Sequence, residues 1–447
     1  MPRIPNSLLR KARAIDPYLP ALLGPCRDIH AAHNELRWLR EHVEKVAEAR
    51  RARGDTLAKG SLLRQLIQER ASGKPLQYIL GTEYFGDLEI RCRRGVLIPR
   101  WVHTSASTRA TTDGASRQDT AASITNLVRL IRDAQGLPSE LRLLDLCTGT
   151  GCIPLLFEHE LRSARNDVHL RILGVDVSDK ALKLAHYNMQ RAQEGVVHGM
   201  DGRMQLIKAD ILINPFADQF DGPLPFETAL NRSGNPAFWD ILISNPPYIS
   251  PSGYWKTTTR SVRGYEPKLA LVPPSIASRN DTLQGDLFYP RLLEIARDVE
   301  AKIVLLEVAH LQQAQRVAQR AHDLDVFDGI EIWREMPDVN RETASEDGKF
   351  SIIGEGNVRS VLCWRGAGAS WLGKATSPTQ DDAQRLFRSS NRRRIEGDAS
   401  QSDASTLKAQ FDWTLLPHGP EVRKAGVAST AALRQFGASN DFDRTKA

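Results

Sequence analysis

Short apolar segments alternate with amphipathic helical segments through the middle of the chain. The apolar segments cover residues 141–146, 171–178, 204–212, 238–244 and 301–309. The segments between them, such as 179–193 and 288–300, combine good helix formers with apolar residues at helical spacing. Alternation of this kind predicts a doubly wound α/β sheet, and residues 329–336 and 357–365 are expected to supply its closing strands.

The first 75 residues have a different pattern, which predicts a small helical N-terminal domain (residues 1–75). Residues 28–72 contain good helix formers, and Leu36, Leu39 and Val43 form an apolar stripe at helical spacing. The spacing of this stripe predicts that one face of the helix is buried against its neighbours.

Changes in composition predict four further boundaries. Residues 76–103 hold short hydrophobic runs and turn glycines, which predict a hairpin linker. Residues 104–123 contain 14 Ala, Ser or Thr among 20 residues and predict a flexible insertion. Residues 124–365 then form the sheet domain, and the polar residues 366–447 are expected to be a largely disordered tail.

Composition narrows the possible functions. The chain has 447 residues, 41% of them hydrophobic, and a net charge of +6, which permits contact with nucleic acid without requiring it. No apolar run approaches the roughly 18 residues that a membrane helix needs. The five cysteines lack zinc spacing, which favours a reducing compartment, and no metal site is expected.

The N-terminus supports two interpretations. Residues 1–27 contain five basic residues and one acidic residue, Asp16. Arg-rich, acid-poor segments are typical of mitochondrial transit peptides, but a basic first helix of the folded protein has the same composition. We therefore expect a mitochondrial or otherwise a cytoplasmic protein.

A glycine-rich loop follows the first strand of the predicted sheet and leads into a helix. Its candidate binding residues are Asp145, Cys147, Thr148, Gly149, Thr150 and Gly151. Glycines let the backbone approach a ligand closely, and N–H groups at a helix start bind polar groups. The dinucleotide signature is absent because Pro154 occupies its third glycine position, and no Gly-Lys-Ser/Thr segment for nucleotide phosphates is present.

Acidic residues end the next two predicted strands. Asp176 ends the second strand, where a carboxylate can accept hydrogen bonds from both hydroxyls of a ribose. A ribose site without phosphate-binding residues indicates S-adenosyl-L-methionine, with an ordinary glycine-rich turn as the alternative. Asp210 ends the third strand and Ile211 comes next, where the carboxylate is placed to face the adenine amino group or, equally, water.

The fourth predicted strand ends in a stiff corner, Asn245-Pro246-Pro247-Tyr248, whose Asn245 is also a candidate cofactor-binding residue. Prolines cannot donate to a strand ladder, and an Asn before Pro is extended. The Asn245 side-chain oxygen and the Pro246 carbonyl can accept both hydrogens of a planar NH2 group, on which Tyr248 can stack. Two such acceptors would stabilise the positive charge that develops on this nitrogen during methyl transfer. A plain Pro-Pro turn is the alternative.

An Asp- or Asn-Pro-Pro-Tyr motif in this position is shared by DNA adenine-N6, rRNA guanine-N2 and protein glutamine-N5 methyltransferases. Residues 28–365 resemble the last group, the HemK/PrmC-type release-factor glutamine methyltransferases. The segments that carry the resemblance are 73–100, 143–153, 174–188, 243–250 and 262–271. Long loops and the tail indicate a eukaryotic, mitochondrial-type member.

The resemblance implies a helical domain and hairpin that lead into a Rossmann-like methyltransferase domain with S-adenosyl-L-methionine as cofactor. The implied substrate is the glutamine of the Gly-Gly-Gln loop in a class I peptide chain release factor. The resemblance also implies that residues 147–151 and Asp176 bind the cofactor and that residues 245–248 hold the glutamine amide. The family's Pro-Glu-Thr/Ser-Glu segment is replaced by residues 101–104, Trp-Val-His-Thr, so its contacts are not carried over.

Two rival functions remain open at this point. A nucleic-acid adenine or guanine methyltransferase would carry a target-recognition domain rich in basic and aromatic residues. The first 75 residues have 15 basic and 8 acidic residues, yet their only aromatic residues are Tyr18 and Trp38. The altered segment 101–104 motivates the second rival, a non-catalytic cofactor-binding protein. We expect a monomer whose partner is a release factor, with no requirement for nucleic acid or a membrane.

Overall fold

The N-terminal helices pack around a small apolar core of their own. They are α1 (Asn6–Ile15), α2 (Leu19–Cys26), α3 (Ile29–Arg51), α4 (Lys59–Ala71) and α5 (Leu76–Leu80). The predicted stripe on α3, Leu36, Leu39 and Val43, is buried in this core, which confirms that prediction. Arg70 of α4 donates hydrogen bonds of 2.6 and 2.9 Å to the two carboxylate oxygens of Glu35 on α3. This bidentate ion pair joins the two longest helices of the region.

The structure is a computed structural model that describes residues 4–99, 120–193, 204–213, 222–275, 280–339, 342–344 and 348–374. All of them belong to one compact unit, residues 1–375, while the second unit, 376–447, lies outside the described residues. Within the described ranges, no helix combines the length and the apolar character needed to cross a membrane.

The predicted hairpin is present and consists of β1 (Thr82–Phe85) and β2 (Leu88–Arg91), paired antiparallel. Gly86 lies in its turn with φ of 58°. A Cβ atom at Gly86 would lie 2.5 Å from the Leu156 Cδ1 atom, so the turn requires glycine both for its backbone angle and for close packing.

A nine-stranded sheet forms the centre of the described structure. Its strands are β3 (Glu140–Leu146), β4 (His169–Asp176), β5 (Met204–Lys208), β6 (Ile241–Ser244), β7 (Ile303–Glu307), β8 (Gly329–Met336), β9 (Glu342–Ala344), β10 (Ser351–Ile353) and β11 (Glu355–Trp364). Their order is β5-β4-β3-β6-β7-β11-β8-β10-β9. Strands β5, β4, β3, β6 and β7 are parallel, and β11 pairs antiparallel with both β7 and β8. The predicted doubly wound sheet is confirmed, whereas β9 and β10 were not predicted.

Helices cover both faces of the sheet. They are α6 (Thr120–Arg132), α7 (Cys152–Ala164), α8 (Asp179–Gln193), α9 (Phe226–Arg232), α10 (Pro251–Thr257), α11 (Arg260–Tyr265), α12 (Asp281–Gly285), α13 (Phe288–Asp298), α14 (Leu311–Asp323) and α15 (Ala367–Trp371). Neighbouring residues of β3 show the two layers: Leu143 packs in one cluster with Leu156 of α7, and Leu144 packs in the other with Leu292 of α13. Both faces are therefore buried, which explains why the strands are apolar runs rather than alternating patterns.

Two expected boundaries need correction. Residues 120–123, expected at the end of the flexible insertion, form the first turn of α6, where Ala121 and Ser123 are buried. Residues 367–371, expected in the tail, form α15, and the buried Trp371 donates a hydrogen bond to the Gly136 carbonyl at 3.4 Å. The remainder of the expected insertion, 104–119, and of the tail, 375–447, lies outside the described residues.

Candidate active site

A cavity of about 270 Å³ opens at the carboxyl edge of the parallel strands. The site residues predicted from the sequence that line it are Cys147, Gly149, Asp176, Asp210, Ile211, Asn245 and Pro247. They come from the ends of four strands, β3 to β6, because the carboxyl ends of neighbouring parallel strands meet at one edge. The structure thus brings together the glycine loop, both strand-end acids and the corner.

The backbone of the glycine loop is wound in the left-handed region. Cys147, Gly149 and Gly151 have φ angles of 64°, 58° and 76°. A Cβ atom at Gly149 would meet nothing closer than 3.9 Å, so this part of the loop faces open space in the cavity. A Cβ atom at Gly151 would lie 3.2 Å from the Ala185 Cβ atom of α8, so Gly151 serves close packing instead.

Asp176 holds the loop and faces the cavity. Its carboxylate oxygens accept hydrogen bonds from the Gly149 N–H at 2.9 Å and the Ser178 N–H at 2.8 Å. Burial raises the pKa of Asp176 above its ordinary value, and these two N–H groups oppose that rise. Each carboxylate oxygen keeps a second lone pair, so Asp176 can also accept hydrogen bonds from the hydroxyls of a ribose.

Asp145 lies beneath the loop, fully buried, and does not line the cavity. Burial raises its pKa to about 8, and the nearby charge of Asp176 adds to this rise. The Thr148 hydroxyl lies close enough to lower the pKa, but it makes no hydrogen bond of normal geometry to the carboxylate. Asp145, a candidate binding residue from the sequence, therefore lies below the cavity rather than in its wall.

Asp210 and Ile211 lie just beyond β5, which ends two residues earlier than expected, at Lys208. One Asp210 carboxylate oxygen accepts a hydrogen bond from the Leu212 N–H at 2.9 Å, which shapes the turn. The wall beside Ile211 also contains Phe288 of α13, which the sequence analysis did not identify. An aromatic side chain therefore reaches this wall from a residue far along the chain.

The corner after β6 is held by contacts with β7 and α14. Asn245 and Pro247 line the cavity, whereas Pro246 and Tyr248 do not. Tyr248 is only 5% exposed, and its hydroxyl donates a hydrogen bond of 2.8 Å to Glu307 at the end of β7. Its carbonyl accepts a hydrogen bond of 3.2 Å from the Gln313 side-chain amide of α14. The corner is therefore fixed through both the side-chain hydroxyl and the main-chain carbonyl of Tyr248.

A second cavity, of about 50 Å³, lies beside the first. Cys147, Gly149 and Asn245 line both cavities, and Thr148 and Thr150 line the smaller one. Gly151 lines neither of them. Asn245 therefore borders both spaces, as do Cys147, Gly149 and Leu97.

The linker after the hairpin contributes to both cavities, which sequence reasoning did not predict. Gly95 and Val96 line the larger cavity, Ile98 and Pro99 line the smaller one, and Leu97 lines both. No group of three or more His, Cys, Asp or Glu side chains is arranged to hold a metal ion in the described part of the chain.

The arrangement defines a class of protein before any relative is considered. The sheet is doubly wound and has the antiparallel strand β11 between β7 and β8. Together with a glycine loop after β3 and Asn-Pro-Pro-Tyr after β6, this sheet defines a Rossmann-like methyltransferase. A Schizosaccharomyces pombe protein, the probable MRF1 mitochondrial N(5)-glutamine methyltransferase mtq1, is 31% identical over 336 residues, 74% of this chain and 92% of that protein. The chain belongs to the release-factor glutamine methyltransferase family, which confirms the resemblance described above.

Two further relatives support this assignment. The mitochondrial MRF1 N(5)-glutamine methyltransferase MTQ1 of Saccharomyces cerevisiae is 32% identical and is matched over 61% of this chain and 68% of that protein. The release factor glutamine methyltransferase of Chlorobaculum tepidum is 33% identical and is matched over 49% of this chain and 60% of that protein. No protein-family model matches the chain.

Solved structures show weaker likenesses. The hMettl16 catalytic domain in complex with the MAT2A 3'UTR hairpin 1 is 14% identical with a TM-score of 0.34, and it covers 67% of this chain and 80% of that chain. A putative class I S-adenosylmethionine-dependent methyltransferase from Listeria monocytogenes is 13% identical with a TM-score of 0.32, and it covers 81% of this chain and 88% of that chain. These values are too low to add to the fold description.

Proposed function

We propose that this chain transfers a methyl group from S-adenosyl-L-methionine to the side-chain amide nitrogen (N5) of the glutamine in the Gly-Gly-Gln loop of a class I peptide chain release factor. The observation that carries the proposal is the position of Asn245, which directly follows β6 and lines both adjoining cavities. Membership of the release-factor glutamine methyltransferase family supports the substrate class.

The larger cavity fits the cofactor. Its wall is mostly apolar, and the Asp176 carboxylate is fixed by two backbone N–H groups where a ribose would lie. The backbone at Cys147 and Gly149 would face the rest of the nucleoside, with Asp210, Ile211 and Phe288 on the adenine side. When bound, the cofactor supplies an electrophilic methyl group on its sulfonium sulfur.

The corner is suited to hold a primary amide. The Asn245 side-chain oxygen and the Pro246 carbonyl would accept the two hydrogens of the glutamine NH2, which fixes the nitrogen in front of the larger cavity. Positive charge develops on that nitrogen as it is methylated, so both acceptors bind the transition state more strongly than the neutral amide. The hydrogen bond from Tyr248 to Glu307 would keep the backbone of the corner in place when the amide binds.

The remaining parts of the proposal concern domains, location and assembly. The helical region 1–75 would recognise the release factor, and residues 120–374 would carry out the transfer. The two yeast relatives are named as mitochondrial, which supports a mitochondrial location. We expect the protein to act as a monomer, without nucleic acid and away from membranes.

Labelled S-adenosyl-L-methionine tests the proposal. The wild-type protein is expected to label a mitochondrial class I release factor and to leave its Gly-Gly-Ala variant unlabelled. Asn245→Ala is expected to retain cofactor binding but to lose about 100-fold or more of the transfer rate, by analogy with removal of an oxyanion-hole donor. Equal labelling of RNA or DNA, or full activity of Asn245→Ala, would contradict the proposal.

A further inference from the structure

We propose that residues 251–270 form a docking surface for an acidic patch of the release factor, with Trp255 as its anchor. This inference rests on the proposed function and names a recognition surface for it. The docking surface consists of the exposed residues Trp255, Lys256, Arg260, Lys268 and Leu269. The side chain of Leu269 is 55% exposed, and that of Trp255, at 67%, is the most exposed large apolar side chain in the described part of the chain.

The docking surface adjoins the mouth of the active site. Helix α10 starts at Pro251, three residues after Tyr248, and is capped by the Ser250 side chain. At the other end of the segment, Pro267 and Leu269 line the larger cavity itself. A protein that inserts a glutamine at Asn245 must therefore place the surface flanking its loop against this segment.

The Trp255 side chain is held in place by two neighbouring side chains. The Arg263 guanidinium lies 5.6 Å from the centre of the Trp255 ring, in cation–π geometry, and donates a hydrogen bond of 3.1 Å to the Trp255 carbonyl. The Tyr254 ring packs edge-to-face against the Trp255 ring, with 5.5 Å between the ring centres. Because the indole is already ordered, a partner that covers it loses little conformational entropy on binding, as is typical of aromatic anchors.

The segment is also fixed to its surroundings on two sides. Asp281 of α12 accepts hydrogen bonds from the Ser252 N–H at 2.7 Å and the Ser252 hydroxyl at 2.6 Å. Ser261 donates a hydrogen bond of 2.7 Å to the Gly73 carbonyl in the N-terminal region. The segment that carries the docking surface is therefore fixed both to α12 and to the N-terminal helical region. It does not need a partner to order it.

The charge of the segment identifies the occupant as acidic. Residues 251–270 contain four basic residues and one acid, Glu266, which is buried and accepts a hydrogen bond from the Ile98 N–H. Arg260 and Lys268 form no ion pair with other described residues. Arg94, also exposed, extends the basic surface, since its guanidinium lies over the Tyr265 ring. A carboxylate-rich protein surface would complement this pattern.

The test compares steady-state methylation of the intact release factor with that of a short Gly-Gly-Gln peptide. Trp255→Ala is expected to raise KM for the intact protein about tenfold or more, with kcat unchanged, as for loss of an interface hot spot. Kinetics on the peptide and the affinity for S-adenosyl-L-methionine are expected to stay the same. Trp255→Phe should restore most of the loss. Phe238→Ala is the matched control, because Phe238 is also exposed (51%) but precedes β6, at the opposite edge of the sheet from Asn245.

The charge contribution is tested separately. Arg260→Glu combined with Lys268→Glu is expected to raise KM for the intact release factor and to weaken its dependence on salt. Arg232→Glu is the control, because Arg232 is exposed and ends α9, before β6. It should leave KM for the release factor and the salt dependence of KM unchanged. Binding of the Gly-Gly-Ala release factor, measured by calorimetry, gives a readout that needs no turnover and should weaken in the same variants.

The outcomes separate this inference from the proposed function. If the wild-type enzyme labels the release factor but the Trp255 and charge variants keep its KM and affinity, the docking surface is wrong and the proposed function stands. If the variants lose binding to an RNA oligonucleotide while the release-factor KM is unchanged, the surface belongs to nucleic acid and the inference is overturned. If the wild-type enzyme neither binds nor labels the release factor, both proposals fail.

Discussion

The Tyr248 hydroxyl donates a hydrogen bond of 2.8 Å to a carboxylate oxygen of Glu307, 59 residues further along the chain. The Thr120 hydroxyl, at the first residue of α6, donates to the other oxygen of the same carboxylate. Glu307 is buried at the end of β7. One side chain thus connects the corner at 245–248 with the first turn of α6, so the geometry of the corner depends on strand β7.

Removal of this hydrogen bond should reduce both activity and stability. Tyr248→Phe is expected to lower kcat with unchanged affinity for S-adenosyl-L-methionine, because the corner loses its attachment to β7. The free energy of unfolding should fall by about 1.5–3 kcal/mol, the range for one buried hydrogen bond to a charged group. Methyl-transfer kinetics, cofactor titration and urea unfolding measure these three quantities.

Tyr289→Phe is a matched control for that variant. Its hydroxyl donates a hydrogen bond of 2.8 Å to the Glu307 main-chain carbonyl and is equally buried, but it lies outside the corner. We expect this variant to lose stability with little change in kcat. Equal loss of kcat in both variants would show that the corner does not depend specifically on the Tyr248 hydrogen bond.

Asp176 should dominate cofactor affinity. Asp176→Ala removes the acceptor for the ribose and also the hydrogen bonds from the Gly149 and Ser178 N–H groups. Hydrogen bonds to charged groups contribute about 1.5–3 kcal/mol each, so the Kd for S-adenosyl-L-methionine should rise by roughly 100-fold. Calorimetry measures the change. Asp210→Ala is expected to have a smaller effect, and a ranking of the two variants in the opposite order would refute the ribose assignment.

Asp145 should make stability depend on pH. Burial raises its pKa to about 8 in the folded protein, above the value of about 3.9 expected when unfolded. Between these values the folded state keeps a proton that the unfolded state has lost, so the free energy of unfolding falls as pH rises from about 4 to about 8. Asp145→Asn has no such proton and should exceed the wild type in stability at pH 8 by a few kcal/mol, on the order set by this linkage.

Urea unfolding at pH 5 and pH 8 checks the Asp145 prediction. The stability difference between Asp145→Asn and the wild type should be larger at pH 8 than at pH 5. Asp133→Asn is the control, because the Asp133 carboxylate is exposed. Its difference in stability from the wild type should be nearly the same at pH 5 and pH 8. A difference that is the same at both pH values would mean that Asp145 is ionised in the folded protein.

Cys147 occupies a backbone conformation that favours glycine. Its φ of 64° costs a residue with a side chain about 1–2 kcal/mol, so Cys147→Gly should match or exceed the wild type in stability and retain cofactor binding. Cys147→Val adds a β-branched side chain, which is poorly tolerated at positive φ, and should lower the melting temperature. A Gly variant that is less stable than the Val variant would show that packing of the thiol outweighs backbone strain.

Helix α6 and the two short strands show where prediction from the sequence failed. Residues 120–123 are small and carry no apolar period, so they were assigned to the insertion, yet Ala121 and Ser123 are buried because α6 packs closely on the sheet. Strands β9 and β10 have three residues each, too few to show alternation. Burial by close packing and pairing of very short strands depend on neighbours that the local pattern does not contain.

The sequence alone determined the elements whose cause is local. Apolar runs specified the main strands, and glycines and prolines specified the turn at 147–151 and the corner at 245–248, because backbone sterics act within a few residues. Since both turns follow parallel strands, their meeting at one edge could also be predicted.

Only the tertiary structure decided which distant groups complete the site. The crossovers bring Glu307 to Tyr248, Phe288 to the wall of the larger cavity and the linker at 95–99 to both cavities, and they bury Asp145 below the loop. These contacts depend on strand order and on how each helix packs against the sheet. Packing of this kind is a property of the whole chain, so no local pattern of residues reports it.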